Sequence, residues 1–149
     1  MKIKRTNNKK QEKGFSLIEL LIVMVIIGLL ASLVGPKMFS KVGKSKQKST
    51  KAQISMLETA LDMYRLDMGK YPTTDQGLAT LRINPDDNDN WDGPYLPKEV
   101  PLDPWGNAYQ YESPSEHGDY HIISQGADGT EGGEGEDRDI VNWKDLGKE

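Results

Sequence analysis

The chain has 149 residues, no cysteine, and 19 basic against 23 acidic side chains, a formal charge of −4. These figures exclude disulfide staples and thiolate metal sites, and they leave room for one small globular domain beside any membrane segment. Six basic residues and one acidic residue lie within positions 1–14. Without them the balance is 13 to 22, about −9, which argues against nucleic acid as a partner.

Lys2, Lys4, Arg5, Lys9, Lys10 and Lys13 precede an apolar run over residues 15–35 in which Glu19 is the one charged side chain. As a helix rising about 1.5 Å per residue, the run is long enough to cross a bilayer core of roughly 30 Å. The basic residues place the leader in the cytoplasm and the remainder of the chain across the membrane. An ionised residue inside a span costs on the order of 2.5–3.5 kcal/mol even on the gentler scales, so Glu19 needs a partner.

A secretory signal peptide would explain the basic leader and the apolar core. It expects small residues at both −3 and −1, whereas Ala31/Leu33, Ser32/Val34 and Leu33/Gly35 each pair a small residue with an aliphatic one. A plain signal anchor would let Glu19 snorkel to the interface but gives no reason for Gly14-Phe15 directly before the run.

Beyond Gly35-Pro36, a pair that marks a kink or a melted segment, the helical pattern continues with a change of solvent. Lys37, Lys41, Lys44, Lys46, Lys48 and Lys51 load the next turns. Ile54, Leu57, Leu61, Tyr64 and Met68 then form one apolar stripe at alternating three- and four-residue steps, and Gly69 is a C′ stop. An unbroken helix to Met68 would span roughly 80 Å.

Pro72 blocks further helix, and Thr73 or Thr74 can cap a short helix running to Arg82 with Leu78 and Leu81 turned inward. Residues 84–91 read as a solvated loop: Asp86, Asn88 and Asn90 alternate as in an EF-hand, but the glycine is missing and Pro97 stands where a bidentate carboxylate should be. Turn-dense segments follow, with Trp105 as an apolar anchor. Two short strands over 108–112 and 119–124, joined through 113–118, make a small antiparallel sheet.

Residues 125–139 crowd Asp128, Glu131, Glu134, Glu136, Asp137 and Asp139 into a loop broken by five glycines. Like charges this dense repel, and glycine adds chain entropy, so such a loop is ordered best by a cation. Oxygen donors without His or Cys suit Ca²⁺ better than zinc. Counting from Asp128 as an EF-hand puts Thr130 and Gly132 where carboxylates or amides belong, so a dedicated loop is the better description. Catalytic readings fare badly: His117 and His121 share no helix face, and no HExxH, Gly-x-Ser-x-Gly or phosphate-cradling glycine motif is present.

Gly14-Phe15-Ser16-Leu17-Ile18-Glu19 and the apolar run after it resemble the leader junction of type IV pilins and pseudopilins. Three further motifs narrow the likeness: Tyr71-Pro72-Thr73-Thr74-x-Gln76-Gly77-Leu78, Asp103-Pro104-Trp105-Gly106-Asn107-x-Tyr109-x-Tyr111, and Ser124-x-Gly126-Ala127-Asp128-Gly129. In this order they resemble the major pseudopilin family of the type II secretion system, the general secretion pathway protein G family.

The resemblance implies an α+β fold: a long N-terminal helix, membrane-spanning in its first half and amphipathic in its second, packed on a small domain with a short helix, a small antiparallel β-sheet and a C-terminal calcium loop. It implies a leader over 1–14 cut by a prepilin peptidase between Gly14 and Phe15, N-methylation of Phe15, a membrane and assembly helix over 15–35, and a periplasmic domain over 36–149. Glu19 would pair with the Phe15 amine of a neighbouring copy, fixing the axial stagger between subunits.

Calcium would be held by the Asp128 and Asp139 side chains and the carbonyls of Gln125 and Thr130, with Asp137 or Glu136 supplying a further carboxylate. The implied partners are further copies of the chain, minor pseudopilins and an inner-membrane assembly platform. The implied location is the inner membrane and periplasm of a Gram-negative bacterium, and the implied role is a pseudopilus that drives folded proteins across the outer membrane. The alternative is a major type IV pilin of a surface fibre; such pilins commonly carry a C-terminal disulfide loop, which a chain without cysteine lacks. A monomeric, signal-anchored calcium module is disfavoured by Glu19.

Overall fold

The computed structural model describes residues 14–146; the leader expected over 1–14 lies outside them apart from Gly14. The chain divides into two compact units, one ending at Phe39 and the other beginning at Ser40.

The first unit is helical. One helix, α1 (Leu17–Met68), begins in it and runs on into the second unit. Its part Leu17–Gly35 is apolar and long enough to cross a membrane, with its side chains exposed. The helical assignment carries through Gly35 and Pro36, where the sequence suggested a kink or melted segment. Proline there removes one backbone donor, and nearby the Ser32 hydroxyl donates to the Leu29 carbonyl at 2.8 Å.

The second unit is organised by the amphipathic half of α1. Ile54, Leu57, Leu61 and Tyr64 are fully buried, Ala60 nearly so, and Met68 packs at the edge of the same cluster. This is the stripe expected from the spacing. The helix ends as predicted: Gly69 takes a φ of +74° and its N–H returns to the Arg65 carbonyl at 2.8 Å.

Against the stripe pack Leu78, Leu81, Leu96, Tyr109, Ile122 and Ile140. The short helix expected before Arg82 is instead a turn followed by a 3₁₀ segment, Leu78–Leu81. Thr73 does cap, in a reciprocal pattern: its hydroxyl accepts the Gln76 N–H at 3.3 Å and its own N–H donates to Gln76 Oε1 at 3.0 Å. Gly77, at φ +62°, then bends the chain out of α-geometry.

The sheet has three strands in the order β1-β2-β3, all antiparallel: β1 (Gln110–Glu112), β2 (His121–Ser124) and β3 (Ile140–Val141). Tyr111 faces Ile122 across the first pair, and Ser124 faces Ile140 across the second. Both expected strands start two residues late. A turn in which Asp103 N–H donates to the Asn107 carbonyl at 2.8 Å holds the chain back from β1, and Ser113 Oγ donates to the Asp119 carbonyl at 2.9 Å before β2. The two-residue β3 was not foreseen, being too short to carry an alternating pattern.

Hydroxyl and indole groups take the place of disulfides in tying the loops down. Tyr71 donates to Asp62 at 2.8 Å, Tyr95 to Asp67 at 2.8 Å, Tyr111 to the Pro72 carbonyl at 2.8 Å, and Tyr109 to Gln53. The indole N–H of Trp91 donates to the Thr80 carbonyl at 2.9 Å, closing the loop after Arg82. That loop is less free than expected, since Asn84 exchanges two side-chain hydrogen bonds with the Asn88 backbone at 3.0 and 3.1 Å.

Each of the six tyrosines has its ionisation pushed up, in every case first by burial. For Tyr95 and Tyr111 the value rises to about 12. Above the ordinary tyrosine pKa of about 10 the unfolded chain releases protons that the folded chain keeps, so stability is full below that pH and falls as pH rises toward the folded values. Phenolate absorbance should therefore appear late and together with loss of the α-helical circular dichroism signal. Reversible titration of all six near pH 10 with the fold intact would contradict this packing.

Candidate functional sites: the amino-terminal carboxylate and the glycine-rich loop

Gly14, Phe15 and Ser16 precede α1 and are exposed. A methyl group added at Gly14 would meet nothing within 4 Å, so packing does not require glycine there. Ser16 stands at the N-cap with Glu19 three residues on: the Ser16 N–H points to Glu19 Oε2 and the Glu19 N–H to Ser16 Oγ, both at 3.4 Å. This is a loose capping box, longer than the usual 2.7–3.2 Å, and one that the sequence reading overlooked although Ser-x-x-Glu signals it. A carboxylate in a first helical turn also lies at the positive end of the helix dipole. Glu19 itself is exposed, and its long contacts leave the carboxylate available to a stronger donor.

The second candidate lies between β2 and β3. Asp103, 4% exposed, organises its base: Oδ1 accepts from the Trp105 and Asn107 N–H groups at 3.0 and 2.8 Å, and Oδ2 accepts from Ser124 Oγ at 2.6 Å. Asn107 passes this order into the loop, its Nδ2 donating to the Gly126 carbonyl at 3.0 Å. Two of the quoted motifs thus meet through Asn107. Trp105 packs against the core, with the Lys46 ammonium 5.6 Å from its ring centroid.

Within the loop, Ala127 N–H donates to the Glu136 carbonyl at 2.9 Å and Asp137 N–H to the Glu134 carbonyl at 3.1 Å. Asp128 accepts the Thr130 N–H at 3.1 Å and the Thr130 hydroxyl at 2.8 Å, which together hold its carboxyl below the usual aspartate range. Asp139 Oδ2 accepts the Gly132 N–H at 2.9 Å. Asp139 Oδ1 is buried with no hydrogen-bond partner. These internal bonds hold the loop together in a way its composition did not suggest.

The expected donors are therefore adjacent but not converged. Among the described residues no three His, Cys, Asp or Glu side chains are placed to hold a metal. Asp128 and Asp139 are turned to loop partners, and the Asp137 side chain is exposed. The donor chemistry nevertheless fits a hard cation: the candidates are all oxygens, and a buried carboxylate oxygen without a partner is costly to leave unpaired.

A further cluster escaped the sequence reading. Lys51, counted there only as surface charge, donates its ammonium to the carbonyls of Val141 at 2.8 Å, Asn142 at 3.2 Å and Lys144 at 2.7 Å, strapping the C-terminal segment to α1. Carbonyl acceptors leave no signature in side-chain sequence.

An apolar, membrane-length helix opening on an exposed Gly-Phe-Ser-x-x-Glu start, and continuing as the core helix of a small α+β domain, defines the class of pilin-like subunits. Comparison with known proteins narrows the class. A family described as type II secretion system protein G matches residues 37–143, and the prokaryotic N-terminal methylation motif matches residues 9–35. Type II secretion system core protein G of Vibrio cholerae serotype O1 is 47% identical over 137 residues, covering 90% of this chain and 93% of that protein. The protein of the same description from Pseudomonas aeruginosa is 45% identical over 138 residues, with 91% and 97% covered. The crystal structure of the major pseudopilin from the type 2 secretion system of enterohaemorrhagic Escherichia coli matches with a TM-score of 0.58 at 39% identity, covering 74% of this chain and 93% of that one. The chain belongs to the protein G family of the type II secretion system, whose members are structural major pseudopilin subunits. The surface type IV pilin alternative is thereby set aside.

Proposed function

We propose that the chain is held in the inner membrane by the apolar helix Leu17–Gly35, with residues 36–149 in the periplasm, until it polymerises into a pseudopilus that drives folded proteins across the outer membrane. A prepilin peptidase cuts between Gly14 and Phe15 and methylates the new amine. An inner-membrane platform then inserts the subunit beneath minor pseudopilins. Glu19 meets the Phe15 amine of a neighbouring copy, since a carboxylate and an ammonium in low dielectric stabilise only the register that pairs them. The chain carries out no catalysis, and nucleic acid is not a partner.

The observation that supports this most is the presence of both signatures in one chain, the methylation motif over 9–35 and the protein G match over 37–143. Calcium belongs to the same reading: when bound it supplies charge neutralisation to the loop. The side chains of Asp128 and Asp139, the carbonyls of Gln125 and Thr130, and Asp137 would hold it. The orphaned Asp139 Oδ1 supports that assignment.

Deleting the gene in its own host should leave type II substrates folded and active in the periplasm, and re-expression should return them to the medium. Unimpaired secretion in the deletion strain would overturn the reading.

A further inference from the structure

Glu136 and Asp137 offer competing carboxylates to the proposed calcium site, and the structure separates them. Gly43 of α1 is buried, and a methyl group built on it would lie 2.5 Å from Glu136 Cγ, 2.7 Å from Oε1 and 2.8 Å from Cδ. Those distances are well inside van der Waals contact, so the Glu136 side chain occupies the notch beside Gly43 and a methyl group there would displace it. One turn along the helix, the Gln47 amide donates to the Gly135 carbonyl. The backbone of the same segment faces the other way. The Glu136 carbonyl accepts the Ala127 N–H at 2.9 Å, and the carbonyls of Glu136 and Asp137 lie 2.7 and 2.9 Å from where a Gly126 Cβ would stand. The Asp137 carbonyl comes closer still, 2.5 Å, to a Cβ built on Gly133.

We propose that Glu136 is not an ion ligand but a wedge: its side chain seats the glycine-rich loop on α1 in the notch left by Gly43, with Gln47 as a second clamp, and so presents the loop's carbonyls inward. Glycine inside a helix is disfavoured by intrinsic propensity, so its presence at position 43 needs a packing reason, and the wedge supplies one. The inference rests on the calcium reading in one respect. If the ion binds the seated loop better than the unseated one, seating and binding favour each other to the same degree. The helical stretch around Gly43 then becomes more ordered when the loop is occupied, which links the ion to the helix around which subunits are built.

The test uses the full mature chain in detergent micelles, with CaCl₂ titrated by calorimetry and amide exchange followed by mass spectrometry. Gly43→Ala should weaken Ca²⁺ binding by about tenfold and speed exchange of the Ala127 and Asp137 amides, although helix propensity alone favours alanine. Glu136→Ala removes the wedge and should weaken binding to the same degree, and the Gly43→Ala, Glu136→Ala double variant should be no weaker than either single variant, because both break the same contact. That non-additivity is what a general loss of helix packing would not produce. Glu136→Gln keeps the shape of the wedge and removes its charge, so it should bind as the unaltered chain does. Loss of binding in Glu136→Gln would make Glu136 a ligand and overturn the proposal, as would losses that add in the double variant. Failure of the unaltered chain to bind Ca²⁺ would overturn the calcium reading instead. The seat would then stand on exchange alone, supported by faster loop exchange in Gly43→Ala and in Glu136→Ala that the double variant does not exceed, and overturned by unchanged exchange.

Discussion

Glu19→Gln is expected to abolish pseudopilus assembly and type II secretion while leaving the subunit folded, processed and inserted. The choice of glutamine matters. Ser16-x-x-Glu19 forms a loose capping box, and glutamine serves at that position as well as glutamate, so the substitution keeps the helix start and removes the charge. A structural role for Glu19 therefore predicts near-normal secretion from Glu19→Gln and a fault only in Glu19→Val or Glu19→Ala. A pairing role predicts failure in all three. Membrane insertion should become easier, since a buried charge costs on the order of 2.5–3.5 kcal/mol. What is lost is discrimination between registers, because without the carboxylate no axial position is favoured by pairing with the neighbour's amine. Secretion titre and pilus yield from an overexpressing strain measure this directly; normal filaments from Glu19→Gln would refute the pairing.

Calcium should raise the thermal midpoint of the periplasmic domain clearly, and chelator should remove the increase. A ligand that binds only the folded form stabilises by RT ln(1 + [L]/Kd), about 2.7 kcal/mol at a hundredfold excess over Kd. Against a total of roughly 5–15 kcal/mol that is a large share. Mg²⁺ should do little, because it demands tighter octahedral geometry and sheds its waters reluctantly. Asp139→Ala should lose the effect, as it deletes the oxygen that is buried without a partner. Asp128→Ala should lose it too. Its consequence is separable, because Asp128 also holds Thr130 through two hydrogen bonds and its loss should loosen the loop even in chelator. Identical melting curves in Ca²⁺ and chelator would reduce the segment to an acidic loop held by its own hydrogen bonds.

The helical architecture was legible wherever one periodicity ran far enough to be read. The apolar run, the stripe from Ile54 to Tyr64 and the Gly69 stop all followed from spacing and from the one residue type that tolerates positive φ. The short elements were less legible because backbone turns decide them. Asp103 and Asn107 delay β1, Gly77 turns a would-be helix into a 3₁₀ segment, and β3 is two residues long.

In the loop, the sequence shows where the carboxylates lie along the chain but not their directions. Asp128 and Asp139 spend oxygens on nearby amides, and Glu136 reaches back to α1. Nothing in the spacing of carboxylates reports which side of a glycine-rich chain each will face. Lys51 and Gln47 escaped notice for a related reason, since their acceptors are carbonyls about ninety residues away in the chain.

The most direct test of the whole account is intact-mass and N-terminal fragment analysis of the chain purified from its host membrane. The mature protein is expected to begin at Phe15 and to carry one methyl group on its amine, and the precursor to accumulate when Gly14 is replaced by a bulky residue. A functional protein that still carried residues 1–14 would contradict it, because Glu19 would then have no neighbouring Phe15 amine to pair with.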